Sequence, residues 1–124
     1  MPAYDDKNIF ARILRGEIPS QKVLETEHSF AFRDIAPKAP VHVLLIPKGA
    51  YVSYDDFAAN ASDAEILDFT RALARLTQEL GVDLGQGQGF RAITNAGPDG
   101  VQEVPHFHLH ILGGRHMGRM VDPA

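Results

Sequence analysis

The clearest hydrophobic pattern in the chain lies between residues 62 and 80. Its apolar residues recur at steps of three and four, as they do on one face of an α-helix: Ile66, Phe69, Leu73, Leu76 and Leu80. Ser62 and Glu65 have the spacing of a capping box at the start of this stripe. Gly81 follows the stripe, where a left-handed C-cap residue belongs. The pattern predicts a long amphipathic helix over 62–80.

A second, shorter helix is predicted over 9–15. Its apolar residues share one face: Ile9, Phe10, Ile13 and Leu14. Gly16 and Pro19 follow as stop signals. Three side chains that precede the helix suit the N-cap position, and the sequence does not choose among them: Asp5, Asp6 and Asn8.

The remaining apolar segments are short and are predicted to be strands: 23–26, 30–33, 41–46, 90–95 and 106–112. A turn at 27–29 separates the first two strands, and a loop at 96–100 precedes the last one, so both pairs are expected to close as hairpins. A doubly wound parallel sheet needs a helix after nearly every strand. The observed order of helix, strands, helix, strands therefore favours an α+β fold with an antiparallel sheet.

Composition limits the classes of protein that the chain can belong to. Its 124 residues suit one domain over 1–124, with flexible tails expected at 1–7 and 118–124. The net charge of −4 argues against a protein that grips a nucleic-acid backbone. No apolar run approaches the ~20 residues of a membrane span, and no secretion signal is recognised, so we expect a cytoplasmic protein without a membrane partner. The absence of cysteine excludes disulfides, thiolate zinc sites and cysteine nucleophiles.

The most informative segment is 106–112, which reads HFHLHIL. On a strand, alternate side chains share a face, so His106, His108 and His110 are predicted to line one face. The apolar residues between them then face the core: Phe107, Leu109 and Ile111. Three imidazoles repel one another when protonated, so this pattern indicates neutral rings with defined tautomers.

Two kinds of chemistry suit such a row of histidines. The first is a metal site, because neutral imidazole is a common zinc ligand. Same-face neighbours on a strand are about 6.6 Å apart and the outer pair about 13 Å apart, so one ion cannot take all three. A metal site would need two of these rings and a ligand from another strand, such as His42.

The second kind of chemistry is nucleophilic attack by a histidine on phosphorus. A neutral imidazole can attack a phosphoryl group and so divide a difficult substitution into two easier ones. The middle ring, His108, is best placed, because a polar neighbour on each side can fix its tautomer or reach substrate oxygens. Water then attacks the phospho-imidazole, which requires donors around the oxygens and a proton for the leaving group.

The segment 106–112 resembles the signature of the histidine triad superfamily, in which three histidines alternate with apolar residues. Further likeness to its nucleotide-binding branch extends over 8–20, 31–37, 39–48 and 112–115. The resemblance covers roughly residues 8–117 and keeps the same order of blocks. It implies an antiparallel sheet of about five strands with two main helices, paired into a twofold homodimer.

The resemblance also implies an activity. Members of this branch hydrolyse purine nucleoside phosphoramidates, such as adenosine 5′-phosphoramidate, without a metal or another cofactor, and the expected ligand is an AMP-type purine nucleotide. Two alternatives stay open: a nucleotide-binding sensor or partner module with little turnover, and a dinucleoside polyphosphate hydrolase of the same superfamily. The metal-dependent hydrolase remains the third alternative.

The catalytic roles that the resemblance implies fall on five residues. His108 corresponds to the nucleophile that becomes nucleotidylated. His110 and Asn95 correspond to residues that contact the phosphate and support the reacting ring. His106 is the first histidine of the triad, and His42 corresponds to the fourth histidine, which hydrogen-bonds into it.

The implied substrate-binding residues form three groups. Asp34 corresponds to the carboxylate that binds the ribose hydroxyls. The apolar walls around the base correspond to six residues, of which the aromatic ones are also expected in the core: Ile9, Phe10, Ile13, Phe32, Ile35 and Leu44. The phosphate-contacting loop corresponds to residues 101–104: Val101, Gln102, Glu103 and Val104.

Two loop residues depart from the pattern of the family. Val101 stands where many members have a glycine, and valine is stiffer and bulkier than glycine. Glu103 stands where some relatives have a serine, and its carboxylate would repel a phosphate unless it turned toward the leaving group. We therefore expect Glu103 to recognise an amine leaving group. The segment 115–124 lacks the tryptophan of some relatives, so their leaving-group preference does not transfer.

Overall fold

A five-stranded antiparallel sheet forms the centre of the protein. The computed structural model describes residues 1–120. The strands are β1 (Lys22–Glu25), β2 (Ser29–Arg33), β3 (Val41–Pro47), β4 (Arg91–Ile93) and β5 (Leu109–Gly113). They lie in the order β1-β2-β3-β5-β4, with every neighbouring pair antiparallel. The predicted antiparallel α+β fold with five strands is confirmed, as is the pairing of the two predicted hairpins.

Three helices accompany the sheet: α1 (Ile9–Leu14), α2 (Tyr54–Asn60) and α3 (Asp63–Glu79). The capping box that was predicted for α3 is present, because the Ser62 side chain accepts from the Glu65 N–H and Glu65 accepts from the Ser62 N–H. Gly81 adopts a φ of 71° after α3, as its predicted C-cap position requires. Asn8 is the N-cap of α1, and its side chain accepts from the Ala11 N–H at 2.9 Å.

The two predicted helices are present as α1 and α3, and within residues 1–120 the structure adds helix α2, which was not predicted. It has only seven residues, and its apolar part contains one large buried side chain, Phe57. Helix α2 has no hydrophobic stripe, and polar contacts of Asp56 hold its first turn. The buried Asp56 carboxylate accepts from the Val52 N–H at 2.8 Å and from the Asn60 amide, also at 2.8 Å.

Two apolar cores cover the two faces of the sheet. The larger core lies on the side of α3 and includes the alternate residues Phe107 and Ile111, with Leu109 packed against it, as the alternation predicted. A smaller cluster lies on the side of α1, and we call it the α1 cluster. Its members are Phe10, Phe32, Leu44 and Ile46, with Ile13, Leu14, Phe30 and Val104 packed against them.

The predicted boundaries of the last two strands are wrong at their ends. Strand β5 begins at Leu109, so His106 and His108 precede the sheet ladder. There the backbone makes other bonds, since Phe107 N–H donates to the Tyr51 carbonyl at 2.8 Å and His106 N–H to the Val104 carbonyl at 2.9 Å. Strand β4 covers only Arg91–Ile93 of the predicted 90–95. The smaller shifts at 23–26 and 41–46 do not exceed one residue at either end.

No helix within residues 1–120 has both the length and the apolarity that a membrane crossing requires. The predicted tail at 118–124 falls partly on residues 121–124, which lie outside the described part of the chain.

Candidate active site

The pairing of β3 with β5 brings His42 and His110 together. His42 lies opposite Leu112, two positions from His110, so the two histidines are diagonal neighbours on one face of the sheet. Their Nε2 and Nδ1 atoms are 2.9 Å apart. Asp34 directly follows β2, its N–H donates to the His42 carbonyl, and its Oδ2 lies 3.4 Å from His42 Nε2. The sheet therefore assembles an Asp34–His42–His110 group from three strands.

The hydrogen bonds of this group define its tautomers. The Lys38 backbone N–H donates to His42 Nδ1 at 3.0 Å, so that nitrogen is an acceptor. The ring proton of neutral His42 is therefore on Nε2, which donates to His110 Nδ1. His110 in turn carries its proton on Nε2. His110 Nε2–H is therefore a free donor at the end of the hydrogen-bond series from the Lys38 N–H through His42 to His110.

A second chain of hydrogen bonds fixes His106. The ring is fully buried, and its Nε2 lies 2.8 Å from the Pro47 carbonyl, which can only accept. The proton of His106 is therefore on Nε2, and its Nδ1 is an acceptor. The Tyr4 hydroxyl lies 2.7 Å from this Nδ1 and donates to it.

His108 has the tautomer that a nucleophile needs. Its Nδ1 lies 2.7 Å from the His106 carbonyl, to which it donates its proton. Nε2 therefore carries the lone pair. The Thr94 hydroxyl donates to the His108 carbonyl at 2.8 Å and holds the backbone at this point. The ring of Phe10 packs edge-to-face on the His108 ring, with 4.9 Å between centroids.

All four histidines of the site are neutral near pH 7, because burial lowers their pKa values. Burial lowers the pKa of His106 to about 4, and burial together with the neighbouring His108 lowers that of His110 to about 4. Burial also lowers the pKa of His42 and of His108. For His108 the hydrogen bond to the His106 carbonyl and the charges of Asp34 and Glu103 act in the opposite direction. The neutral rings agree with the tautomers that the hydrogen bonds define.

The residues expected to line a base pocket divide into a buried and an exposed group. Phe10, Phe32 and Leu44 are members of the α1 cluster, and Ile13 and Val104 pack against them. By contrast, Ile35 is 96% exposed and Ile9 is 43% exposed. The two isoleucines therefore present apolar surface to solvent, close in sequence to Asp34 and Phe10.

The loop at 97–104 contains the other predicted ligand-binding residues. Gln102 holds the loop in place, because its side chain donates to the carbonyls of Val52 and Val104 and accepts from the Gly97 N–H. Val101 is exposed and has a φ of 57°, a left-handed conformation that a β-branched residue rarely adopts. Glu103 is exposed, and Asn95 is half-buried, two residues after the end of β4. Within the described residues, neither side chain makes a hydrogen bond to the histidines.

Sequence reasoning missed three groups that support the histidines: the Tyr4 hydroxyl, the Thr94 hydroxyl and the Lys38 backbone N–H. Thr94 had a weak signal, because it directly precedes the predicted site residue Asn95. Tyr4 had none, because it meets a residue 102 positions away in the chain. Backbone donors such as that of Lys38 leave no signal in residue type.

The Asp34–His42–His110 group also has the donor atoms for a metal ion. Each residue offers one ligand atom, and these atoms all lie within 4.8 Å of one another. Two imidazoles and a carboxylate suit zinc. His42 and His110, however, are already hydrogen-bonded to each other. A metal ion bound there would replace the bond that fixes the tautomer of His110.

Comparisons with known proteins identify the family to which the chain belongs. A family model described as HIT domain matches residues 15–117. An uncharacterised 13.2 kDa HIT-like protein of Azospirillum brasilense is 53% identical over 118 residues, covering 95% of this chain and 94% of that protein. The adenylylsulfatase HINT1 of Arabidopsis thaliana is 41% identical over 115 residues, covering 91% of this chain and 75% of that protein.

A solved structure shows the same fold. The HIT family hydrolase from Clostridium thermocellum superposes with a TM-score of 0.82 at 36% identity, covering 94% of this chain and 98% of that one. The neighbours support hydrolysis as the general kind of activity. The family model matches most of the chain, and the structure gathers the histidines of the signature at one site. The chain therefore belongs to the histidine triad family, in its HINT-like branch.

Proposed function

We propose that the protein is a metal-independent hydrolase of purine nucleoside phosphoramidates that acts through a nucleotidyl intermediate on His108. The single observation that carries this proposal is the tautomer of His108, whose Nδ1 donates to the His106 carbonyl and leaves the Nε2 lone pair free. The ring is neutral and buried beside Phe10, which is the state in which imidazole is a nucleophile.

In the first step, His108 Nε2 attacks the phosphorus of the phosphoramidate. A phosphorus–nitrogen bond to the ring forms, the bond to the amine breaks, and the amine leaves with the bonding electron pair and takes up a proton from solvent. The ring becomes cationic in this step. Its Nδ1–H bond to the His106 carbonyl then strengthens, because a charged donor makes the stronger hydrogen bond.

In the second step, water attacks the phosphorus and loses a proton to solvent, and the bond to His108 Nε2 breaks, so that a nucleoside monophosphate is released and the neutral ring is restored. His110 supports both steps, since its Nε2–H is a fixed donor for a non-bridging phosphate oxygen. Because His110 keeps this tautomer through His42 and the Lys38 N–H, no reorganisation is needed when charge develops.

The nucleoside half of the substrate is expected to lie along the α1 side of the sheet. Asp34 Oδ1 accepts from the Ala36 N–H at 2.8 Å, which fixes the carboxylate while leaving acceptor capacity for ribose hydroxyls. The exposed side chains of Ile9 and Ile35 provide apolar contact for a base. Glu103 is exposed, and its charge acts on His108, which supports a role in selecting an amine leaving group.

The test is hydrolysis of adenosine 5′-phosphoramidate by the wild type and by His108→Ala in the presence of EDTA. We expect turnover by the wild type and a loss of at least about a thousandfold in the variant, as for other covalent nucleophiles. His116→Ala, which removes an exposed histidine outside the site, is the matched control and should keep wild-type turnover. Equal turnover by the wild type and by His108→Ala would contradict the proposal.

A metal-dependent hydrolase is the second candidate function, and the ligand geometry of Asp34, His42 and His110 favours it. It predicts that EDTA abolishes turnover and that zinc restores it. The metal-independent mechanism predicts that turnover continues in EDTA and that zinc inhibits, since zinc bound by Asp34, His42 and His110 would disturb the hydrogen bond between the two rings. A protein that binds AMP under both conditions without turnover would be the nucleotide-binding module of the first alternative.

We further propose that the protein is a homodimer that acts in the cytoplasm. Strand β4 is an edge of the sheet, and its Ala92 and Ile93 are exposed, as is Phe90 just before it. An exposed edge with apolar side chains favours pairing with another strand. A second copy of the chain supplies such a strand with twofold symmetry.

A further inference from the structure

The first residues of the chain contact the histidine site. Asp5 begins a turn into α1, because its carbonyl accepts from the Asn8 N–H and from the Asn8 side-chain amide at 2.7 Å, and its side chain accepts from the Lys7 N–H. The Arg15 guanidinium donates to the Asp6 carbonyl at 2.8 Å. These bonds hold Tyr4 over His106, where the two rings meet edge-on with 5.7 Å between centroids.

The Tyr4 hydroxyl provides a hydrogen-bond donor to His106 Nδ1, which has no other donor within the described residues. His106 is 0% exposed, and its Nε2 proton is committed to the Pro47 carbonyl. Its Nδ1 is therefore a buried acceptor, and the Tyr4 hydroxyl at 2.7 Å is its donor. Burial raises the pKa of Tyr4, so the hydroxyl keeps its proton throughout the neutral range. A buried acceptor left without a donor is destabilised by the loss of its solvation.

His106 affects the nucleophile through its backbone and not through its ring. Its carbonyl accepts the Nδ1 proton of His108 at 2.7 Å and so determines which nitrogen of His108 is free. The His106 ring is held at two points, by Pro47 and by Tyr4. If one point is lost, the ring can rotate or change tautomer, and the backbone of the same residue loses one of the contacts that anchor it.

We infer that Tyr4 is a positioning residue of the active site: its hydroxyl fixes the ring of His106 and thereby the carbonyl that selects the reactive tautomer of His108. This inference rests on the proposed function for its effect on turnover. The N-terminal segment, which the sequence placed in a flexible tail, is then part of the catalytic machinery.

The test is the variant Tyr4→Phe, which keeps the ring contact and removes only the hydroxyl. Its first readout is the ¹⁵N chemical shifts of labelled histidine, because protonated and bare ring nitrogens have widely separated shifts. We expect His106 Nδ1 to lose the signature of a hydrogen-bonded acceptor and His108 to become a mixture of tautomers. Its second readout is kcat for adenosine 5′-phosphoramidate, which we expect to fall by about threefold to tenfold while KM stays within about twofold.

The matched control is Tyr51→Phe. Tyr51 is also half-buried and donates its hydroxyl to a single partner residue, Glu65, at 2.9 Å. Loss of the Tyr51 hydroxyl should lower the melting temperature without changing the histidine nitrogen shifts or kcat. The inference is overturned if His108 keeps its wild-type nitrogen shifts in Tyr4→Phe, or if the loss of kcat in Tyr4→Phe equals that in Tyr51→Phe. The shifts do not depend on turnover, so they decide the role of Tyr4 even if the proposed hydrolysis fails its own test.

Discussion

His108 and His110 differ in what their free nitrogens can do, although all four histidines of the site are neutral imidazoles. His108 presents a lone pair on Nε2, whereas His110 presents a proton on Nε2. The difference arises from what bonds to each Nδ1, a carbonyl for His108 and the Nε2–H of His42 for His110. His108 therefore has the free lone pair that the proposed nucleophile needs, and His110 presents a hydrogen-bond donor, with 5.1 Å between the centroids of the two rings.

The dependence of activity on pH follows from these lowered pKa values. Burial holds the pKa of His108 below 6.5, so its lone pair is available at neutral pH and is lost to protonation only at more acidic pH. We expect the acid limb of kcat/KM to lie below pH 6.5 and kcat/KM to be flat above it. Phe10→Leu admits water beside the His108 ring and should move the limb upward. A wild-type limb centred at or above pH 6.5 would contradict this assignment.

At the scale of elements, the loop at 97–104 carries a strain that glycine would relieve. Val101 is the only residue other than glycine with a positive φ in residues 1–120. The left-handed conformation costs an L-residue roughly 1–2 kcal/mol, against about 0.5–1 kcal/mol of additional chain entropy that a glycine loses on folding. We therefore expect Val101→Gly to raise the free energy of unfolding by about 0.5–1 kcal/mol, measured by urea denaturation.

Val101→Ala is the control for that measurement, because it keeps a Cβ in the left-handed conformation and should gain less than Val101→Gly. Two backbone bonds close the turn, from the Val101 N–H to the Pro98 carbonyl and from the Gln102 N–H to the Gly97 carbonyl. Neither bond depends on the valine side chain. A decrease in stability for Val101→Gly would show that this side chain stabilises the loop by more than its backbone strain.

Elements with strong periodic patterns were predictable, and those held by single contacts were not. The apolar stripe and capping box of α3 and the continuous apolar run of β3 follow from local sequence. Helix α2 is too short for a periodic stripe, although the spacing of Ser53 and Asp56 marks its start. The alternation at 106–112 predicted the two faces correctly, yet it did not show that His106 and His108 bond outside the sheet.

The site was predictable to the extent that it depends on residue type and spacing. His42, His108 and His110 were identified from the sequence, and the register of β3 on β5 brings His42 and His110 into contact. The hydrogen bond between Tyr4 and His106 was not predictable, because the two residues are 102 positions apart and nothing in the sequence around Tyr4 indicates the contact. Tautomers also were not predictable, since they depend on backbone carbonyls and N–H groups.

At the scale of the whole molecule, the proposed dimer predicts the behaviour of the exposed edge at β4. Ile93→Lys places a charge where a second copy of the strand would pair, and Lys on an edge strand opposes such pairing. We expect the variant to be monomeric in sedimentation velocity and the wild type to be dimeric. Leu67→Lys, an exposed position on α3, is a comparison that should remain dimeric. A monomeric wild type would contradict the proposed dimer.

The most direct test of the central claim is to trap the covalent intermediate. The protein would be mixed with adenosine 5′-phosphoramidate in EDTA, quenched within a single turnover and digested under alkaline conditions that preserve phospho-histidine. Mass spectrometry would then locate any adenylyl group. The account predicts an adenylyl group on His108 that forms and decays at the rate of turnover. Turnover without an adduct, or an adduct on another residue, would contradict it.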